Sequence, residues 1–180
     1  YCVAGGGYLP VLCDTLLMAE GSGRYLAGPA LVKAAIGQEV TDEELGGATM
    51  HASVSGTIDF KEKDDDACIA RLRDLVSKYG KGVEVSRWQG VEGKTQARAF
   101  HDGHEVYNKF KDASGSQYDV RDLIACFVDV AARKDGGSEV LAPDFDEYKA
   151  DYGQSIVCGY AKIGGRPCGI VANQKKLVQR

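Results

Sequence analysis

From Leu9 to Met18 the residues are mostly aliphatic, which reads as a buried strand that begins after the glycines. Gly21-Ser22-Gly23 then reads as a turn and Arg24-Tyr25-Leu26-Ala27 as a short second strand. Gly28-Pro29 marks a helix start, because proline suits the first helical position. Leu31, Val32, Ala35 and Ile36 give that helix one apolar face, and Gly37 closes it as a left-handed cap. Thr41 with Glu44 forms a capping box over a short helix that stops at Gly46-Gly47. Val54 to Phe60 is expected as strand or extended loop. Asp64, Asp65 and Asp66 then place negative charge where a helix begins, which its dipole favours. Ile69, Leu72, Leu75, Val76 and Tyr79 form the apolar stripe of that helix, and Gly80 ends it.

Between Gly80 and Tyr118 apolar residues thin out and Lys, Glu, Gln, Asn, Ser and Gly dominate. The segment reads as a polar linker or insertion, and its mixed charges suit a solvated surface rather than a nucleic-acid arm. Order returns at Asp119, a good N-cap, after which Val120, Leu123, Ile124, Phe127, Val128 and Ala131 describe an amphipathic helix. Asp144 with Glu147 offers a second capping-box start, with Phe145, Tyr148 and Tyr152 on one face. Gln154 to Ile163 reads as a strand, Gly164-Gly165 as a two-residue hairpin turn and Arg166 to Asn173 as the partner strand. Helices and strands alternate in both halves, so the class is α/β.

Composition narrows the functions. Hydrophobic residues are 44% of the chain and charged residues 27%, the profile of an ordinary globular protein. Twenty-two Lys+Arg against 26 Asp+Glu give a net charge of -4. That balance argues against nucleic acid and against anionic membranes, both of which select a basic face. No apolar run approaches the roughly 20 residues of a membrane span. The 23 glycines are nearly twice the usual roughly 7%, which calls for many turns or for backbone that approaches something closely. The opening residues, Tyr1 to Gly7, carry no initiator Met and no signal-peptide pattern, so a fragment of a longer polypeptide is expected. Cys2, Cys13, Cys68, Cys126, Cys158 and Cys168 form no CxxC pair of the kind zinc sites use. Cys13, Cys68, Cys126 and Cys158 lie in apolar stretches, where a buried free thiol and a reducing compartment are expected.

Candidate chemistry is sparse. Gly5-Gly6-Gly7 can present backbone N–H groups with no Cβ in the way, the requirement of an oxyanion hole. A tight glycine turn without catalytic duty is the plain alternative. His51 lies among Gly46, Gly47, Ser53, Ser55 and Gly56, as an acid, a base or a ligand hydrogen-bonder, or else as a structural hydrogen-bonder beside Met50. His101 and His104 sit in the polar segment with nothing resembling a triad around them. There is no GxSxG elbow, GxxxxGK[ST] loop or HExxH motif. Such a chain suits a site that works through backbone donors on a cofactor or thioester brought from elsewhere.

Taken together, several segments resemble one family in the right order. Cys2-Val3-Ala4-Gly5-Gly6-Gly7-Tyr8-Leu9-Pro10 resembles the C-x-A-G-G-A-Y-x-P segment of the carboxyltransferase (β) subunits of biotin-dependent acyl-CoA carboxylases. The resemblance continues through Leu26 to Gly37, Glu44 to His51 and Ser55 to Asp59. It resumes at Tyr118-Asp119-Val120-Arg121-Asp122-Leu123-Ile124-Ala125, at Gly159 to Pro167 and at Gly169 to Asn173.

The resemblance implies a crotonase-like (ClpP-like) ββα superhelix that occurs twice in a complete subunit. Residues 1–79 would be the later part of the N-terminal half, 80–117 a linker or insertion, and 118–180 the opening of the C-terminal half. By the same resemblance Gly5 and Gly6 are catalytic, their amides holding the thioester oxygen as its enolate forms. Gly7, Gly28, Pro29, Gly46, Gly47 and His51 become candidates for contact with acyl-CoA. Biotin, on a separate carrier domain, is the implied cofactor and acts as the base once it has released CO2; no metal is implied. The implied partners are a biotin carboxylase, a biotin carboxyl carrier component and further copies in a homo-oligomer, with no nucleic acid and no membrane. The implied compartment is the cytoplasm, or the mitochondrial matrix in a eukaryote. The activity would be carboxyl transfer from carboxybiotin to an acyl-CoA, for which this fragment alone is incomplete. A biotin-dependent acyl-CoA decarboxylase subunit and a truncated, non-catalytic assembly fragment stand as alternatives.

Overall fold

A computed structural model describes residues 1–78, 98–109, 117–135 and 138–178. The chain divides into two compact units, Tyr1–Gly82 with Lys149–Gly153, and Val83–Tyr148 with Gln154–Arg180.

In the first unit, strand β1 (Cys2–Val3) runs into a 3-10 turn (Ala4–Gly7) and a one-turn helix α1 (Tyr8–Val11). Strands β2 (Leu17–Ala19) and β3 (Arg24–Tyr25) follow. The strand expected over Leu9 to Met18 is therefore confined to its last residues. A short apolar run cannot distinguish strand from helix, and Pro10 sits in the first helical turn, where its missing N–H costs nothing. Leu9 and Leu12 are exposed, and so is Cys13, against the expectation of a buried thiol there.

Helix α2 (Pro29–Ile36) begins at Pro29 and ends at Gly37 with φ 72°. Its apolar face is open, since Leu31 and Ile36 are exposed. Helix α3 (Asp42–Gly46) carries the capping box, Thr41 accepting from the Glu44 amide and Glu44 accepting from the Thr41 amide. Helix α4 (Ala48–Met50) passes into a π-helical turn (His51–Ser55). Val54 to Phe60 is thus not one extended segment: a wide helical turn takes its start, and only strand β4 (Phe60–Glu62) its end. Strand β1 pairs in parallel with β3, and β2 with β4. Met18, Ala48, Ala52 and Ile58 are buried together, with Leu16 against them.

Helix α5 (Asp65–Lys78) forms where the acidic start and the apolar period place it, and Asp64 accepts from the Ala67 amide at 2.8 Å. Its stripe is not its buried face, because Ile69, Leu72 and Val76 are exposed. The helix is held instead by Arg71, whose Nε donates to Glu62 at 2.8 Å and whose guanidinium lies over the Phe60 ring. The expected end at Tyr79-Gly80 and most of the polar segment lie outside the described residues. Lys149–Gly153 completes this unit. The Lys149 ammonium donates to the Gly56 carbonyl and pairs with Asp59 at 3.4 Å, while Lys61 pairs with Asp151 at 3.7 Å.

In the second unit, helix α6 (Glu105–Lys109) follows a bridge between Ala99 and Asp129. Asp119 caps helix α7 (Val120–Ile124), accepting from the Arg121 amide at 3.0 Å. This helix stops before Phe127, Val128 and Ala131, which had completed the expected face. Val128 is nevertheless fully buried, and Ala131 lies in strand β5 (Val130–Asp135). Strand β6 (Ser138–Pro143) pairs antiparallel with β5.

Strand β7 (Phe145–Tyr148) occupies the place where Asp144 and Glu147 suggested a helix. Tertiary bonds outweigh the capping pattern there: the Asp144 amide donates to the Asp129 carbonyl at 2.7 Å, and Glu147 is taken by Arg121. Strands β8 (Ile156–Ile163) and β9 (Arg166–Asn173) form the expected hairpin, and β7, β8 and β9 make an antiparallel sheet in that order. Gly164 and Gly165 have φ of 61° and 75°, the paired left-handed conformation that a two-residue hairpin needs. Val120, Ile124, Val128, Val157 and Ala161 form the core of this unit. No helix among the described residues is long and apolar enough to cross a membrane.

Candidate functional site

The glycine segment leaves the parallel pair β1–β3 at Ala4, which has φ 51°. A left-handed alanine is costly, by roughly 1–3 kcal/mol, and such residues concentrate where a site demands them. The Ala4 amide donates to the Leu26 carbonyl at 3.2 Å, anchoring the bend to the end of β3. The Gly6 and Gly7 amides close the 3-10 turn on the Val3 and Ala4 carbonyls, Val3 being both its N-cap and the last residue of β1. The first amides of a helical turn have no acceptor inside it, so the Gly5 N–H has none within its own turn. Gly5 and Gly6 are exposed, and an added Cβ at either would meet nothing within 4 Å. Gly7 is buried against the carbonyls of Cys2 and Tyr25.

Beside this segment lies a cavity of about 350 Å³, lined by Gly7, Arg24, Tyr25, Leu26, Ala27, Val32, Leu45 and His51. Gly7 and His51 are the only two of the sequence-derived site residues in that wall. Gly28, in extended conformation, is the N-cap of α2, and Pro29 is its first residue. Gly46 and Gly47 are buried by close packing: a Cβ at Gly46 would run into the Arg24 carbonyl, and one at Gly47 into Glu43. The glycines at the end of α3 thus let backbone pass close to β3.

His51 is buried at 8% exposure. Its Nε2 lies 2.8 Å from the Arg24 carbonyl oxygen, an acceptor only, so Nε2 carries the proton. Nδ1 then accepts, with Ser55 Oγ and Thr57 Oγ1 each at 2.9 Å and Arg24 Nη2 at 3.4 Å. Burial pushes the His51 pKa below its ordinary value, and the Arg24 charge acts in the same direction. Both ring nitrogens are committed to the protein's own groups, the arrangement of a structural hydrogen-bonder.

Arg24 is the residue that sequence reading passed over. Its Nη2 donates to Thr57 Oγ1 at 2.6 Å, and its Nε is buried without a hydrogen-bond partner. No carboxylate pairs with it among the described residues, and burial draws its pKa below the usual guanidinium value. An unsatisfied buried donor costs roughly 1–3 kcal/mol. Tyr25, on the same wall, donates to Asp42 at 2.5 Å. Arg24 lies 27 residues from His51 and 33 from Thr57, and no local spacing announces such a cluster.

Elsewhere, burial raises the pKa of the Cys68, Cys126 and Cys168 thiols, which makes them poor nucleophiles. Cys126 is buried, whereas Cys68 and Cys158 are half-buried. His101 lies 3.6 Å from Glu105, an i,i+4 pair at the surface.

A family model described as "Carboxyl transferase domain" matches residues 1–179. "Methylcrotonoyl-CoA carboxylase beta chain, mitochondrial" of Arabidopsis thaliana is 38% identical, covering 96% of this chain and 28% of its own length. "Methylmalonyl-CoA carboxyltransferase 12S subunit" of Propionibacterium freudenreichii subsp. shermanii is 32% identical, covering 98% of this chain and 31% of its own. A crystal structure of transcarboxylase 12S with methylmalonyl-coenzyme A and methylmalonic acid bound superposes with a TM-score of 0.72 at 31% identity. That likeness covers 96% of this chain and 31% of the neighbour, and it places the fold among mixed α/β carboxyltransferases. The chain thus spans about three-tenths of the length of the relatives it matches. The match to the domain model over residues 1–179 makes this chain a member of the carboxyl transferase domain family.

Proposed function

We propose that this chain is part of the carboxyltransferase subunit of a biotin-dependent acyl-CoA carboxylase, with a crotonase-like fold repeated in two tandem halves. The Gly5 amide is its oxyanion donor, with Gly6 open beside it. The observation that carries this reading is the bend at Ala4. A strained left-handed alanine turns a parallel strand into two open glycines, and the Gly5 amide in that first turn lacks an internal acceptor. Donors fixed in this way before reaction stabilise the negative oxygen of a thioester enolate without reorganising.

Biotin, held by a partner, supplies the carboxyl group and, once that has left, the base. Among the described residues, the other consecutive glycine pair with open surroundings, Gly164-Gly165, has both amides bonded to Asp129. With those donors taken, that pair is not a second oxyanion cradle. What this chain contributes is the thioester side. Leu26, Val32 and Leu45 give the cavity beside the glycines an apolar wall.

Gly6→Val in the complete protein tests the reading. Nothing lies within 4 Å of the added Cβ, so the substitution does not disturb the packing of this chain and acts on what approaches it. A side chain that keeps the thioester oxygen away from the Gly5 amide forfeits one oxyanion donor, which usually lowers kcat by about a hundredfold or more. An unchanged kcat removes Gly6 from the mechanism. "Methylmalonyl-CoA decarboxylase subunit alpha" of Veillonella parvula is 30% identical and covers 98% of this chain, so the decarboxylase reading remains the second one. ATP- and bicarbonate-dependent carboxylation by the assembled enzyme selects the carboxylase.

A further inference from the structure

The cavity beside the glycine segment has an apolar lining and one charged side chain, for which no counter-charge lies among the described residues. Leu26, Ala27, Val32 and Leu45 line it together with Arg24. A guanidinium has five N–H donors and always bears its charge. The acceptors given to Arg24 are the neutral Thr57 hydroxyl and the Nδ1 of His51, and Nε has none. His51 cannot balance the charge, because an imidazole is either neutral or itself a cation. Neither nearby carboxylate pairs with it: Asp42 accepts from Tyr25, and Glu43 from the Thr49 amide. A half-buried guanidinium without a counter-charge is a poor structural element, since a buried ion is tolerated when paired. Its neighbours hold the side chain in place without neutralising it, which is the arrangement of a receptor.

We propose that Arg24 binds one oxyanion of the ligand that enters this cavity, a carboxylate on the acyl group or a phosphate of the coenzyme. Arg24 is thereby a specificity-determining residue for an anionic thioester. The inference rests on the thioester reading of the glycine segment and adds a charge requirement to it. Thr57 orients the guanidinium through Nη2, and the aliphatic wall receives the uncharged part of the acyl group.

Binding of three probes to the complete protein, by titration calorimetry, tests this. Acetyl-pantetheine carries no anion, malonyl-pantetheine carries a carboxylate and acetyl-CoA carries phosphates. Arg24→Met should weaken one of the two anionic probes by about tenfold or more, the usual yield of a charge-assisted hydrogen bond. Acetyl-pantetheine should stay within about twofold, since it offers Arg24 no charge. Selective loss of malonyl-pantetheine identifies the carboxylate, and selective loss of acetyl-CoA the phosphate. Unchanged binding of all three overturns the proposal. If Arg24→Met loses all three, Arg24→Lys decides, because it keeps the charge: preference for an anionic probe sustains the proposal, and no preference overturns it. Wild-type protein that binds none of the three removes the thioester reading itself. Loss of turnover in Gly6→Val with unchanged probe binding in Arg24→Met removes this inference alone.

Discussion

The His51 imidazole donates to the backbone carbonyl of Arg24 at 2.8 Å, so a buried ring on the π-helical turn fixes strand β3 from behind. The same strand receives the Cys2 amide at Gly23 and the Ala4 amide at Leu26. His51 is therefore joined, through β3, to the bend that exposes the glycines.

That role needs a neutral ring, which sets a pH dependence. The unfolded chain protonates His51 near pH 6.5, roughly the ordinary value, whereas burial lowers the pKa in the folded protein. Between the two values the unfolded state binds more protons, so this contribution is complete above about pH 6.5 and declines as pH falls toward the folded pKa. Thermal unfolding followed from pH 8 to pH 5 should show Tm falling on the acid side. His51→Gln should remove that part of the slope.

Tyr25 behaves in the opposite sense. Its hydrogen bond to Asp42, foremost, pushes the phenol up to about 12. The stabilisation is present below the ordinary tyrosine pKa of roughly 10 and is lost as pH rises toward the folded value. In a spectrophotometric titration of phenolate, Tyr25→Phe should delete a late phase and leave the earlier ones.

Gly46→Ala should cost about 1–3 kcal/mol, the usual penalty of overpacking. The added methyl runs into the Arg24 carbonyl, which is also the acceptor of His51. A shift of the chemical denaturation midpoint measures the loss. Wild-type stability in this variant would show that β3 yields freely.

Asp129 offers a separate test in the second unit. Its carboxylate is buried and accepts from the Gly164 amide at 2.8 Å and the Gly165 amide at 2.7 Å. Asp129→Ala should destabilise by about 2 kcal/mol, on the scale of hydrogen bonds to a charged group. Hydrogen exchange at the two glycine amides should speed up while the middle of β8 keeps its protection.

Local signals were legible in the chain, and distant partners were not. Thr41 with Glu44, Gly28-Pro29, Asp119 and Gly164-Gly165 act on backbone a few residues away, so their pattern carries their conformation. The Leu9 to Met18 run is punctuated ambiguously, by Pro10 and Asp14-Thr15. Its aliphatic character fits a strand, a short helix or an exposed turn alike, and pairing with Phe60–Glu62 selects only Leu17–Ala19 as strand. Asp144 and Glu147 have the spacing of a capping box, but Asp129 and Arg121 claim that segment for a sheet. In the candidate site the glycines stood out because three in a row leave backbone amides unshielded by any side chain. Arg24 did not, since its meaning depends on the carboxylate that is missing around it.

Lys149–Gly153 belongs to the first unit while the residues on either side of it belong to the second, so the backbone passes between the units three times. One nick therefore cannot release either unit with its own residues complete. A gene split in the polar segment yields an N-terminal product stripped of Lys149 and so of the tie to Asp59 and Gly56. Its faithful reconstitution needs that five-residue loop returned in trans or grafted on by circular permutation.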